Sequence, residues 1–313
     1  MGRKPRKTIQ PVGRLIGTKK GFCDEQTWAR RLVKDGLYIE AESAHAATAV
    51  AYSCRAMLMA TLPHSKQPGT EYERKNGDLV LRVSAPRWGV PYGPKPRLLC
   101  YWLATQIVKT KSREIELGGS LSEWLRKLGL ERTGREIAAV KEQTKRLFDA
   151  TIDLNRYDHG SWTLYRMNIA AAASVWWDVQ APDQIGLWGS RVKVGQEFFD
   201  ECLRSPVPLD GRALRALKGS SFDLDLYGWA VARLFTVRKP TLISWELLRL
   251  QFGAGYPATK QGLRHFREKF AQRLQRVLMV YPGAKMWPDD DGVGLWLDTS
   301  PPAVQKRVFH NPM

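Results

Sequence analysis

The chain has 313 residues, 43% hydrophobic content and a formal net charge of +18. That length and apolar content suffice for packed cores, and at roughly 100–200 residues per domain they suggest two domains rather than a disordered basic tail. An excess of positive charge on this scale favours a polyanionic partner, nucleic acid first and an anionic membrane surface as the rival.

The chain opens with seven Lys or Arg and no acid in residues 1–20, broken by Pro5, Pro11 and Gly13. This pattern predicts a basic arm suited to DNA phosphates, with a solvated tail as the alternative. No apolar core of a signal peptide follows the start MGRKPRKTIQ, so a cytoplasmic location is expected. No run reaches the roughly 20 apolar residues of a membrane span, the longest lying around Ile169 to Trp177. Cys23, Cys54, Cys100 and Cys202 are far apart and form no C-x-x-C pair, which reads as reduced, mostly buried thiols and no zinc site.

Residues 43–62 are Ala-rich and apolar, predicting a buried helix ended by Pro63. His64 to Asn76 reads as an exposed loop, and Leu79 to Ser84 alternates as a strand. A set of elements then begins with an apolar helix, PRLLCYWLATQIVKTK, followed by a short strand from Glu114 to Leu117 and a short helix, SLSEWLRKLGL. Leu117, Leu121, Leu125 and Leu128 should brace this unit, with Trp124 at its surface or edge. A third helix runs from Arg135 to about Phe148, and two alternating runs are joined across Asp158, His159 and Gly160. Ile137, Val140, Thr144, Leu147 and Phe148 form the core stripe of this third helix, leaving Arg135, Ala138, Ala139, Glu142, Lys145 and Arg146 outward. That face suits DNA or another subunit, and a homodimer is one of the partners it leaves open.

Ala173 to Asp178, Ile185 to Trp188 and Arg191 to Val194 read as short strands, and a helix from about Gly195 to Leu203 is closed by Pro206 and Pro208. The same succession then repeats. Asp210 caps a short helix to Lys218, and helices follow at Phe222 to Val237, Ser244 to Phe252 and about Thr259 to Val277, with a hairpin made of Val277 to Pro282 and Gly294 to Asp298. Helix, helix, helix and hairpin is the order of a winged helix, in which two helices brace a third in the major groove and a hairpin reaches the neighbouring backbone. The expected fold is therefore α+β, with two tandem winged-helix domains behind a basic arm. The expected divisions are residues 1–42 for arm and lead-in, 43–204 and 205–300 for the two domains, and 301–313 for a C-terminal tail.

On the last helix Leu263, Phe266, Phe270, Leu274 and Val277 recur at three- and four-residue steps and should face the core. Gln261, Arg264, His265, Glu268 and Gln272 then face outward, flanked by Lys260, Arg267, Lys269, Arg273 and Arg276. Arg and Gln can make bidentate contacts to guanine and adenine, whereas flanking Lys and Arg suit phosphates. An ordinary solvated face is the bland alternative. The predicted hairpin tip holds Asp289, Asp290 and Asp291, which repel phosphate, so that wing either points away from DNA, marks a protein contact or is a solvated turn.

No catalytic or cofactor constellation appears. His45, His64, His159, His265 and His310 are isolated from one another, and Gly129 to Arg135 (GLERTGR) lacks the Lys and hydroxyl of a phosphate loop. No Asp/Glu-x-Lys of a nuclease follows Pro182 and Asp183. The expectation is no enzyme, no metal and no cofactor.

The runs PRLLCYWLATQIVKTKSREIELGGSLSEWLRKLGL, KEQTKRLFDATIDL and FFDECLRSPVPLDGRALRALKGSSFDLDLYGWAVARLF resemble a plasmid-encoded replication initiator of the RepA type, from about Arg97 to Thr236. The resemblance implies two winged-helix domains that bind direct repeats of double-stranded DNA at a plasmid origin. It further implies repression of the initiator's own promoter and recruitment of host DnaA and the replicative helicase. A winged-helix transcriptional repressor without initiator activity is the alternative, and a cryptic nuclease a more distant one.

Overall fold

The computed structural model describes residues 22–305, apart from 60, 77, 159–160, 176–189 and 254. The basic arm predicted for residues 1–20, the strand predicted at Ile185 to Trp188, the tight turn at His159 and Gly160, and the end of the C-terminal tail lie outside the described residues. Among the described residues the fold is α+β, with four small sheets and two apolar cores.

Helix α1 (Phe22–Ala41) opens the described chain. Residues 22–41 fall in the expected arm and lead-in; they form a helix because Trp28, Leu32 and Ile39, about one and two turns apart, give it an apolar side. That side packs on the last helix of the chain, so α1 belongs to the second core rather than to a separate lead-in.

Residues 43–62 are not one buried helix. Thr48 takes a positive φ of 50°, and the stretch that follows pairs along residues 206–210 as strand β1 (Val50–Cys54) before a single short helix, α2 (Arg55–Met59). The loop expected at His64 to Asn76 is half strand. Here β2 (Glu71–Asn76) pairs antiparallel with β3 (Leu79–Ser84), its inward residues being Tyr72 and the charged Arg74, which disguised the alternation.

Helix α3 (Pro94–Thr110), strand β4 (Glu114–Gly118), helices α4 (Leu121–Lys127) and α5 (Gly134–Asp149), and strands β5 (Thr151–Asp158) and β6 (Ser161–Asn168) follow in the predicted order. Both helix starts are written locally. The Ser120 hydroxyl accepts from the Glu123 amide while the Glu123 carboxylate accepts from the Gly119 amide, and the Thr133 hydroxyl accepts from the Glu136 amide. Leu117, Leu121 and Leu125 are buried as expected. Trp124 is not at the surface: it is fully buried, edge-on to Trp102 at 4.6 Å, because α4 is short and enclosed on two sides.

Strands β7 (Ala170–Ser174) and β8 (Ser190–Val194) form a three-stranded sheet in the order β4-β8-β7, and the hairpin β5–β6 extends the β2–β3 ribbon into the order β2-β3-β5-β6. Helix α6 (Gln196–Arg204) leads into strand β9 (Pro206–Asp210), which pairs antiparallel with β1 across the expected boundary near residue 204.

The second unit comprises α7 (Gly211–Leu217), α8 (Ser221–Leu234), β10 (Thr241–Ser244), α9 (Trp245–Phe252), α10 (Lys260–Val280), β11 (Met286–Pro288) and β12 (Gly294–Leu297). Asp210, Ser220, Ser244 and Thr259 each accept from a backbone amide at the start of α7, α8, α9 and α10. The hairpin differs from expectation. Val277 and Val280 continue the buried stripe of α10, so the helix runs on to Val280 and Met286–Pro288 supplies the strand that pairs with β12. The sheet order is β10-β12-β11.

One core gathers buried side chains between Cys54 and Cys202; the other gathers residues 209–297 together with Leu32, Leu58, Leu98 and Tyr101. The last four come from elements N-terminal to the second unit, so the two units meet through an apolar contact as well as through the β1–β9 pair.

Candidate nucleic-acid interface

Helix α10 carries six Lys or Arg against one acid, Glu268. Phe266, Phe270 and Val277 are fully buried, Leu274 nearly so, and Leu263 partly, which sets the helix's inward side as the spacing predicts. Lys260, Gln261, Arg264, His265, Glu268, Lys269 and Gln272 are exposed. Arg264 Nε lies 3.9 Å from Glu268, an exposed i,i+4 pair that salt and water screen. A shallow depression lined by Lys260, Gln261 and Arg264 opens at the N-terminal end of α10. There the uncompensated amides of the first turn add a partial positive charge.

The turn before α10 is tightly set. A Cβ on Gly262 would fall 2.2 Å from the Pro257 carbonyl oxygen, so only glycine lets the first turn of the helix pack on the GAGYP segment.

Three of the predicted flanking arginines have other work. Arg273 and Arg276 reach the wholly buried Asp223 of α8 at 3.3 and 3.0 Å, and the Arg276 guanidinium also stacks over Trp28 of α1 at 3.8 Å. Burial pushes the Asp223 carboxyl above its ordinary range despite both arginines, and burial lowers Arg276. These two side chains tie α10 to α8 and α1 and are withdrawn from the outward face, which corrects their place in the predicted set. Arg267 is half-buried: its guanidinium lies over the Trp245 ring at 5.6 Å and against Gly292 in the turn between β11 and β12. It braces that turn and reaches the surface only at its edge.

The acidic tip is partly self-satisfied. The Asp289 carboxylate accepts from the Val293 amide at 3.1 Å and from the Trp296 indole at 2.8 Å, closing the turn, while Asp290 and Asp291 stay exposed. Asp290 and Asp291 lie in water as the solvated-turn reading has it, while Asp289 is held within the turn. No group of three or more His, Cys, Asp or Glu that could hold a metal ion occurs among the described residues.

Helix α5 is less basic, with four Lys or Arg against three acids. Arg135 and Lys145 are exposed, the latter's ammonium sitting 4.6 Å above the half-exposed ring of Trp88. Arg146 is not outward as predicted. It pairs with Glu142 at 2.9 Å, donates to the Val90 carbonyl at 3.3 Å and lies over the Tyr92 ring, because the segment before α3 folds across the end of α5. Sequence reasoning missed Trp88 as a neighbour of α5, since nothing local links residues so far apart in the chain.

A buried polar cluster lies between the units. Arg97 of α3 holds Asp225 of α8 through two hydrogen bonds of 2.6 and 2.7 Å, and also donates to the carbonyls of Leu62, Pro63 and Gly93. His64 Nε2 lies 3.0 Å from the same carboxylate. Burial acts to raise Asp225, but Arg97 and His64 outweigh it and hold the carboxyl below the ordinary range; burial lowers His64 in spite of that carboxylate. On the other side Arg74 of β2 hydrogen-bonds Thr61 and, at 2.5 Å, the Gln251 carbonyl of α9.

No helix of the described residues is long and apolar enough to cross a membrane. No curated protein matches the chain. Among solved structures it is similar to domains 2 and 3 of RctB. One such structure has a TM-score of 0.51 at 13% identity, covering 79% of this chain and 96% of that one. A second has a TM-score of 0.47 at 13% identity, covering 77% and 95%. The first likeness shows a shared mixed helix-and-sheet fold. Residues 90–247, half of the chain, match the family described as plasmid encoded RepA protein. They run from just before α3 into α9 and include α3 to α6 and the β5–β6 hairpin, so the chain belongs to the plasmid-encoded RepA family, whose setting is the initiation of plasmid DNA replication.

Proposed function

We propose that the chain initiates replication of its plasmid by binding repeated duplex sites at the origin through two winged-helix units. It would help to open the origin, engage host DnaA and the replicative helicase, and repress its own promoter, all in the cytoplasm and with no catalytic step of its own. The observation that carries the reading is the exposed basic face of α10 in a member of the RepA family. Beside it stands the β10-β12-β11 sheet, in which the strand after α8 pairs with the hairpin, the arrangement a winged helix uses.

Within this reading Arg264 and Gln261 reach base edges, His265 and Gln272 line the same face, and Lys260 and Lys269 take phosphates. Arg135 and Lys145 of α5 form the second contact. The test is a footprint of the full chain on its own plasmid, followed by permanganate probing of the origin with host factors added. Protection of spaced repeats with opening of an adjoining AT-rich segment is the expected result. Protection confined to a promoter, without opening, would make the protein a repressor instead. Affinity should also fall steeply with salt, because each phosphate neutralised releases counterions.

A further inference from the structure

The two units are joined by the β1–β9 pair at their boundary, by an apolar contact and by a buried polar cluster, and the last two do different things. A Cβ on Gly228 of α8 would lie 2.6 Å from Leu58 and 3.2 Å from the Tyr101 hydroxyl, so α8 lies close against α2 and α3. The apolar attraction itself is non-directional, so hydrocarbon surfaces can keep much of it in a shifted register. Hydrogen-bonded charges cannot. A buried ion pair contributes little net stability against an apolar pair of the same volume, and its best-attested use is to select one register among several.

The cluster is built for that use. Arg97, Asp225, Arg74, Thr61 and Gln251 are all at least nine-tenths buried. They come from both sides of the junction: α3, β2 and the segment before His64 on one side, and α8 and α9 on the other. Arg97 spends its donors on Asp225 across the junction and on three carbonyls of its own side, while Arg74 crosses in parallel to the Gln251 carbonyl. One Arg therefore grips α8 and the other grips α9, the helix before α10. A rotation of one unit against the other would break both grips, leaving the Asp225 carboxylate buried without its cationic partner and both guanidiniums without their acceptors across the junction.

We infer that Arg97, Asp225 and Arg74 are positioning residues that set the spacing and phase between the DNA segments met by α5 and α10, although none of them touches DNA. This rests on the reading that both helices bind one duplex. Each base pair inserted between the two contacts displaces one segment by about 3.4 Å along the axis and rotates it by about a tenth of a turn. A rigid protein cannot follow, whereas one whose units swivel can.

The experiment uses the full chain and a duplex that it selects from a random-sequence library. Base pairs are inserted one at a time between the two protected segments. The wild-type chain should lose at least about tenfold in affinity on the first insertion, the scale of one lost specific contact. The paired variant Arg97→Met with Asp225→Leu removes the charges together and should keep its folding, since such replacements are often neutral. It should bind the uninserted duplex within about threefold of wild type and lose no more than about threefold on insertion, well under one specific contact. Arg74→Met, which leaves the Arg97–Asp225 pair in place, should give an intermediate profile and serves as the second variant if the first does not fold. A folded variant of either kind with the wild-type insertion profile would overturn the inference. A wild-type chain that protects a single segment only would overturn the two-unit reading and the inference with it, and a wild-type footprint of two segments indifferent to insertion would overturn the inference alone.

Discussion

The first and second units run through the same order of elements and close it in different ways. In the second, β10 pairs with β12 of the hairpin that follows α10, so one small sheet finishes the unit, and the hairpin is short. In the first, β4 turns instead to β8, and the hairpin β5–β6, with eight residues in each strand, is recruited into the β2-β3 ribbon. The helix between strand and hairpin differs accordingly. The outward face of α10 keeps Lys260, Arg264 and Lys269 against Glu268, whereas α5 is nearly balanced and its Arg146 is folded under the lead-in segment. Element order sets which helix can be presented; strand partners and charge decide whether it is presented as a basic face. The second unit is built to present one, and the first gives much of its surface to holding the second.

The largest expected effect tests that holding role. Asp225→Ala should destabilise the protein by about 3–5 kcal/mol, because Arg97 would be left buried and unpaired. Chemical denaturation of the full chain measures it, and a loss below about 1 kcal/mol, the scale of an exposed pair, would mean that water reaches the junction.

Within the first unit, Trp124→Ala should cost about 3–5 kcal/mol and Leu125→Ala about 2–5 kcal/mol, since both side chains are fully buried and neither cavity can collapse easily. A small loss for Trp124→Ala alone would show α4 to be less enclosed than the packing against Trp102 indicates.

The contrast between helices is sharpened by binding. Arg264→Ala should cost about 1–3 kcal/mol on the selected duplex and relax the preference at one base position. Lys269→Ala should weaken selected and scrambled duplexes by similar factors, because phosphate contacts carry no sequence information. Arg273→Ala should show its main effect in thermal unfolding rather than in the footprint, given its hold on Asp223. Equal losses on both duplexes for Arg264→Ala would remove it from the base-reading set.

The smallest effect is a dependence on pH. Burial holds His64 below its ordinary 6.5, so the unfolded chain takes up a proton first and the folded state loses stability as pH falls through that value. Asp225, held below its ordinary 3.8 against the pull of burial, adds stability that is present above 3.8 and lost at lower pH. Asp223 acts the other way, since its raised carboxyl protonates more readily in the fold than in the unfolded chain. Melting temperature should therefore fall between pH 7 and pH 5 for the wild-type chain and fall less for His64→Gln. Parallel curves for the two would assign the acid sensitivity to other groups.

Local features of the chain were legible because their causes are local. The cap at Asp210 needs only a side-chain oxygen and an amide two residues on, and the stripe Phe266, Phe270, Leu274, Val277 needs only the helical period. The helix order of both units and the outward position of Arg264 follow from the same rules. The resemblance to the RepA family was also readable over the runs that the family match covers. What tertiary structure alone decided is whatever depends on a partner distant in the chain. Residues 50–54 became a strand because β9 lies beside them, and the inward Arg74 became tolerable in a strand because Thr61 and Gln251 receive it. Arg273 and Arg276 left the outward face for Asp223, and Arg146 for Val90 and Glu142. A guanidinium at the edge of a helix can turn outward to solvent or inward to a buried carboxylate with the same spacing in sequence. The choice rests on the desolvated charge that packing brings within reach, and no helical wheel contains that charge.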